Sequence, residues 1–178
     1  MLSQLFGLSL DLKTTRTTEA TEVKIIISII KTKKIMISIS RMKNHMFDVV
    51  GAIHEVHHEL GAGLNESCYR EGFRMELEEQ GIPFHQEMSF HPMYHGRRMS
   101  TSFRIDFLCK KDIIVECKAI SELLPVHRAQ LFNYMRLLRK PCGILVNFAP
   151  KFASIERYLF DLDEDNIMGM DGSVIQRL

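Results

Sequence analysis

Residues 104–119, "RIDFLCKKDIIVECKA", place Asp106, Glu116 and Lys118 inside two short apolar runs joined by a polar turn. Strand interiors favour Val and Ile, so two carboxylates and an ammonium there ask for a chemical reason. With period two, Glu116 and Lys118 share one face of the second run. A tight turn at Lys110–Asp112 brings Asp106 onto the neighbouring strand. The face Asp106 takes depends on register. If Phe103, Ile105 and Phe107 join Val115 in one core layer, Asp106 falls beside Glu116. Two carboxylates that close repel unless a positive charge lies between them. A hard cation such as Mg²⁺, with Mn²⁺ as a substitute, suits one or two carboxylates plus waters. Such an ion acidifies a bound water and attracts a phosphate oxygen. Lys118 can then orient the water or neutralise charge developing on the phosphate. A surface hairpin with a Glu/Lys pair would satisfy the same residues without chemistry. A bare D…ExK match is weak by itself.

The elements that would carry these residues are readable from Asn44 onward. Asn44 can cap a helix to about Leu60, with Phe47, Val50, Ile53 and Val56 near one face and Gly61 as its stop. Asn65 can cap a second helix, on which Tyr69, Phe73 and Leu77 recur every four residues until Gly81 and Pro83. Strands are expected over 84–90, 102–108 and 113–118, with a turn around Gly96. Pro125 opens a helix to about Arg139, and "GILVNF" (143–148) forms a last strand before a helical or irregular tail. This order describes an α/β fold, a small central mixed sheet flanked by helices. On the third helix, His127, Gln130 and Tyr134 follow an i, i+3, i+7 stripe that can reach the hairpin, although a solvated helix edge explains them equally.

Composition sets the frame. The chain has 178 residues, 46% apolar and 25% charged, enough for one sizeable core. It has no run of 18 apolar residues, which argues against a membrane span. The first residues lack a basic stretch ahead of their apolar ones, so no secretory signal is read. Cys68, Cys109, Cys117 and Cys142 form no CxxC pair and read as reduced thiols, which fits the cytoplasm. Residues 1–45 hold eight Lys/Arg against three Asp/Glu, and residues 46–178 hold 15 against 19. A mildly acidic body argues against tight nonspecific nucleic-acid binding but leaves room for a local basic groove. Residues 1–45 show neither turn grammar nor helical period. They read as a poorly ordered or weakly strand-forming extension, also compatible with translation from upstream of a start at Met42 or Met46. A phosphate-touching basic arm is the alternative. "DLDEDN" (161–166) resembles a calcium loop but lacks its glycine and terminal Glu, so residues 161–178 read as an acidic tail.

"GLNESCY" (63–69) matches the pattern GxxExxY. Together with "VHHELGAGLNESCYREGF", "RIDFLCKKDIIVECKA", "LLPVHRAQLFNYMRLL" and "GILVNF", in order across roughly 46–150, it resembles the GxxExxY proteins, a branch of the PD-(D/E)XK nuclease superfamily. The resemblance implies a restriction-endonuclease-like core over 46–160 and a Mg²⁺-dependent nuclease acting on nucleic acid, DNA by preference. It implies that Glu66, Asp106 and Glu116 are metal ligands, that Lys118 is the catalytic lysine, and that Gln130 and Tyr134 line the site. Gly63 would permit the turn that aims Glu66 inward; Tyr69 fits core packing equally well. Concerted cutting of both strands would call for a homodimer. A nuclease-like fold that binds without cutting is a second expectation. A third is a zinc metalloprotease on His54-Glu55-xx-His58, two ligands one helical turn apart with Glu55 as base. In the nuclease reading that helix is scaffold, with His57 meeting a neighbour and His54 and His58 solvated.

Overall fold

The computed structural model describes the backbone of residues 8–178 and the side chains of residues 21, 24–30 and 39–178. Residues Ile39–Leu178 form one compact unit, separate from the stretch before them. Helix α1 covers Leu8–Leu60, so Asn44 lies within a helix and caps nothing. The extension expected to be poorly ordered or strand-like is helical from Leu8 onward. No Gly or Pro falls between Leu8 and Val50, so nothing in that stretch breaks a helix. No helix among the described residues is long and apolar enough to cross a membrane.

In the compact unit, α1 buries Met46, Val49, Ala52, Ile53 and Val56. The stripe 46-49-53-56 alternates steps of three and four, as a period of about 3.6 requires. The expected stripe through Phe47 fails for the same reason. Nine residues separate Phe47 from Val56, about two and a half turns, which puts Phe47 on the far side. It is 79% exposed. Helix α2, Glu66–Glu79, starts at Asn65, whose Oδ1 accepts the Cys68 amide at 3.0 Å. It buries Tyr69, Phe73 and Leu77.

The strands are β1 (Phe84–Phe90), β2 (Met93–Tyr94), β3 (Arg97–Arg98), β4 (Phe103–Cys109), β5 (Ile113–Lys118), β6 (Cys142–Asn147), β7 (Ser154–Asp161), β8 (Asn166–Met168) and β9 (Val174–Arg177); helix α3 is Pro125–Leu138. Seven of them form a mixed sheet in the order β1-β4-β5-β6-β7-β8-β9, while β2 and β3 pair by themselves. Only β5 and β6 run parallel, linked by α3 as a crossover. The tail after 150 therefore completes the sheet, and residues 161–178 supply two strands where an acidic tail was expected. The "DLDEDN" run is the exposed β7–β8 turn, in which Asp161 Oδ1 accepts the amides of Asp163 and Glu164.

Two cores flank the sheet. One joins α1 and α2 to Phe107, Cys109, Val115, Cys117, Ile144 and Val146. The other joins Leu131, Phe132 and Met135 of α3 to Ile105, Leu108, Ile114 and Leu145. Arg128 of α3 is tied to Glu156 of β7 at 2.5 Å. Gly143 lets α3 approach the sheet, since a Cβ there would meet Met135 Sδ at 2.4 Å.

Candidate active site

The site grows from the point where two strands part. The β4–β5 ladder pairs Cys109 with Ile113, Leu108 with Ile114 and Phe107 with Val115, and ends there. At the next position side chains take over the bonding. The Asp106 amide donates to Glu116 Oε1 at 3.3 Å, and the Cys117 amide donates to Asp106 Oδ2 at 2.9 Å. The carboxylates thus bridge a fork in the sheet and satisfy amides that the ladder no longer reaches.

Strand alternation breaks at this fork. Phe107 packs on the α1/α2 side, whereas Ile105, two residues away, packs on the α3 side. Across β1, Glu87 sits at φ +53° between the pairs Gln86–Phe107 and Met88–Ile105. The expected single layer of Phe103, Ile105 and Phe107 is therefore corrected. Only Phe107 joins Val115, Ile105 crosses over, and Phe103 is exposed. Asp106 nevertheless lies beside Glu116, because the pairing of Phe107 with Val115 alone sets that register.

Burial gives the pair its electrostatics. Glu116 is 1% exposed and Asp106 9%. Lys118, on the same face of β5, places Nζ 3.6 Å from Glu116 Oε2 with only 15% of its side chain exposed. Burial first, and the neighbouring Asp106 charge second, push the Glu116 carboxyl up to about 8. The Cys117 thiol beside them is raised well above its usual range by burial and by the same carboxylates. The burial of Cys109 and Cys142 pushes both thiols up to about 12, which keeps them unreactive.

Arg70 was missed by the sequence reading. Its Nη1 lies 3.2 Å from Asp106 Oδ1 and 3.4 Å from Glu87 Oε1, while its buried Nε finds no partner among the described residues. The available signal was spacing, because Arg70 is four residues after Glu66 and shares its helix face. Asn147 was missed as well. It is buried, accepts the Ile120 amide at 3.0 Å and donates to the Ile120 carbonyl at 2.7 Å. It thereby pins the chain just beyond Lys118.

The other expected residues are placed less tightly. Glu66 opens α2 and acts through its charge on Arg70 and Cys117. Among the described residues, however, no three His, Cys, Asp or Glu side chains gather as a ready metal cluster. Gln130 Nε2 donates to Tyr134 Oη at 2.9 Å, and the Tyr134 ring meets Phe90 and Phe103 edge-on at 5.6 and 6.0 Å. Among the described residues neither hydrogen-bonds Asp106 or Glu116. The His54–His58 pair is exposed, with no third ligand gathered among the described residues, so the metalloprotease expectation is not supported. His57 meets the Pro150 carbonyl at 3.0 Å, as a scaffold residue would. Of the cations near the hairpin and α3, Lys110 binds Asp48, Arg128 binds Glu156 and Arg139 binds Asp165.

The fold is thus a mixed sheet with helices on both faces, forked where Asp106 meets the Glu116-x-Lys118 run. The sequence profile of the PD-(D/E)XK nuclease superfamily matches residues 43–158, and the chain belongs to that superfamily. No curated protein matches the chain. Among solved structures, that described as "Crystal structure of SSO0001" is 20% identical with a TM-score of 0.42; the match covers 67% of this chain and 60% of that one.

Proposed function

We propose that the protein is a divalent-metal-dependent nuclease of the GxxExxY branch that hydrolyses phosphodiester bonds in DNA. The observation that carries this reading is the buried Asp106–Glu116 pair with Lys118 at its side. Two carboxylates held together in an apolar sheet, one of them driven to keep a proton, form a donor set that suits a hard dication. Asp106 and Glu116 would hold Mg²⁺ or Mn²⁺, with Glu66 approaching from α2. The bound ion would supply an acidified water and an electrophilic partner for a phosphate oxygen.

The chain's own groups do the rest. Glu116 must give up its proton before it can act as a ligand. Lys118 Nζ, held by Glu116, is free to turn two further N–H groups toward the phosphate as charge builds there. The Cys117 amide and Arg70 fix the Asp106 carboxylate from two directions. Gln130 and Tyr134, which hold each other on α3, would line the site. The four free thiols fit a cytoplasmic protein, and a homodimer would let two sites cut both strands.

The test is cleavage of plasmid, linear DNA and RNA with Mg²⁺ or Mn²⁺. Wild type should cut DNA and Asp106→Ala should not. Equal trace activity in both proteins would overturn catalysis. The Arg70 guanidinium on Asp106 favours a second reading, a binding module that uses the fold without cutting. Metal titration separates them, because such a module needs no ion at Asp106 and Glu116.

A further inference from the structure

The end of the sheet that carries Lys118 also carries a feature the hydrolytic chemistry does not use. The loop after β6 is tied down at several points. The Phe148 amide donates to the Lys118 carbonyl at 2.8 Å, and the Phe148 ring stacks on Tyr69 at 4.7 Å and 7°. The Ala149 amide donates to Asn147 Oδ1, and the Pro150 carbonyl meets His57. From this fixed loop Phe152 projects into solvent, 77% exposed. Lys151 Nζ lies 5.5 Å from the centre of its ring. Beside them an open hollow of about 430 Å³ is bordered by His54 and His58 of α1.

We propose that this corner is an accessory site for an unpaired nucleic-acid strand, with one base stacked on Phe152 and its phosphate taken by Lys151. An aromatic face next to cations is what single-strand binding needs, because every base has a π-face and every nucleotide carries a charge. The ammonium of Lys151 lies toward one side of the ring and leaves the other for a base. His54 and His58 add donors along the rim of the hollow. Paired bases keep their faces stacked on each other, so a projecting ring accepts only a splayed base. Four residues separate Phe148 from Phe152, a contour of at most roughly 14 Å. The Phe152 backbone is thus held near the end of β5 that carries Lys118, and a strand bound beside Lys118 would pass round that end of the sheet to reach it. This inference rests on the nucleic-acid reading above.

The chain has no tryptophan, so Phe152→Trp creates a single emitter at the site. With EDTA present to stop cleavage, a single-stranded oligothymidylate should quench that emission, whereas a blunt duplex of equal length should not. Phe152→Ala should bind the oligonucleotide about tenfold more weakly by fluorescence anisotropy, with Phe152→Tyr restoring affinity. Lys151→Ala should lower the slope of log affinity against log salt by about 0.7. Quenching in a protein that cuts nothing would support this site and remove the nuclease reading. If wild type cuts DNA, yet emission is unchanged and Phe152→Ala binds like wild type, the accessory site is wrong and the nuclease stands. Equal quenching by duplex, or no oligonucleotide binding by wild type, would also overturn it.

Discussion

Arg70 Nη1 lies 3.2 Å from Asp106 Oδ1, so a cation from the protein itself already faces the carboxylate expected to bind a metal. The guanidinium relieves part of the repulsion between Asp106 and Glu116. Its own charged state is opposed by burial and favoured by Asp106, Glu66 and Glu87, with the net effect upward. Arg70→Met removes that relief. In EDTA this variant should unfold with about 1–3 kcal/mol less stability, the usual cost of leaving a buried charge without its partner. Mn²⁺ should then raise the Tm of the variant more than that of wild type, because the ion supplies the missing charge. Equal shifts in the two proteins would show that Arg70 is no counter-charge for the pair.

Glu116 makes stability depend on pH in a direction unusual for a carboxylate. The folded protein keeps a proton on Glu116 up to about 8, whereas the unfolded chain releases it near 4.5. The native state therefore binds more protons between those values, and this group's stabilising contribution is lost as pH rises through that window. The slope approaches about 1.4 kcal/mol per pH unit. In EDTA, Glu116→Gln should flatten the decline and exceed wild type in Tm at pH 8.5. Metal competes with the same proton, so Mn²⁺ binding at pH 7 should release about one proton. Calorimetry in buffers of different ionisation enthalpy reads that number, and a value of zero would contradict the assignment of Glu116 as a ligand.

Lys118 separates chemistry from folding. It is mostly buried beside Glu116, and its ammonium would donate to a reacting phosphate. Lys118→Met should lower kcat by about 10²–10³, the typical effect of removing one charge-stabilising donor. KM and Tm should change little. Lys118→Arg should recover only part of the rate, since a planar guanidinium cannot replace a compact ammonium. A Lys118→Met protein with wild-type kcat would take the residue out of the mechanism.

The sequence revealed these partners unevenly, for physical reasons. Period two and a short polar turn bring Asp106 next to Glu116 as soon as Phe107 pairs with Val115, so the centre of the site was readable. The crossing of Ile105 to the other core was not, because it comes from a strand irregularity at Asp106 and Glu87 that no propensity encodes. Arg70 and Asn147 act across the sequence, one against β4 and the other against the chain after β5, and neither belongs to a local motif. Gln130 and Tyr134 were placed on the correct helix, but a stripe fixes a helix face and not its distance from a strand two elements away. In the tail, charge in "DLDEDN" drew attention from a turn signal, Gly172 at φ +86° between β8 and β9, that marks a hairpin.

Tyr69 joins the core to the loop that delivers Glu66. Its ring is fully buried against Phe148, while its hydroxyl donates to the Gly61 carbonyl at 2.7 Å and accepts the Leu64 amide at 3.2 Å. The loop between these contacts includes Gly63 at φ +98°, a conformation that suits glycine. Tyr69→Phe keeps the packing and removes both hydrogen bonds, so it should cost about 1–2 kcal/mol of stability. Amide exchange should quicken at Leu64 while the β5 and β6 amides stay protected. Tyr69→Leu also removes the stacked ring and should cost more, with loss of protection spreading to Phe148. If Tyr69→Phe unfolds like wild type and leaves exchange at Leu64 unchanged, the hydroxyl does not tie down the loop, and Tyr69 contributes through packing alone.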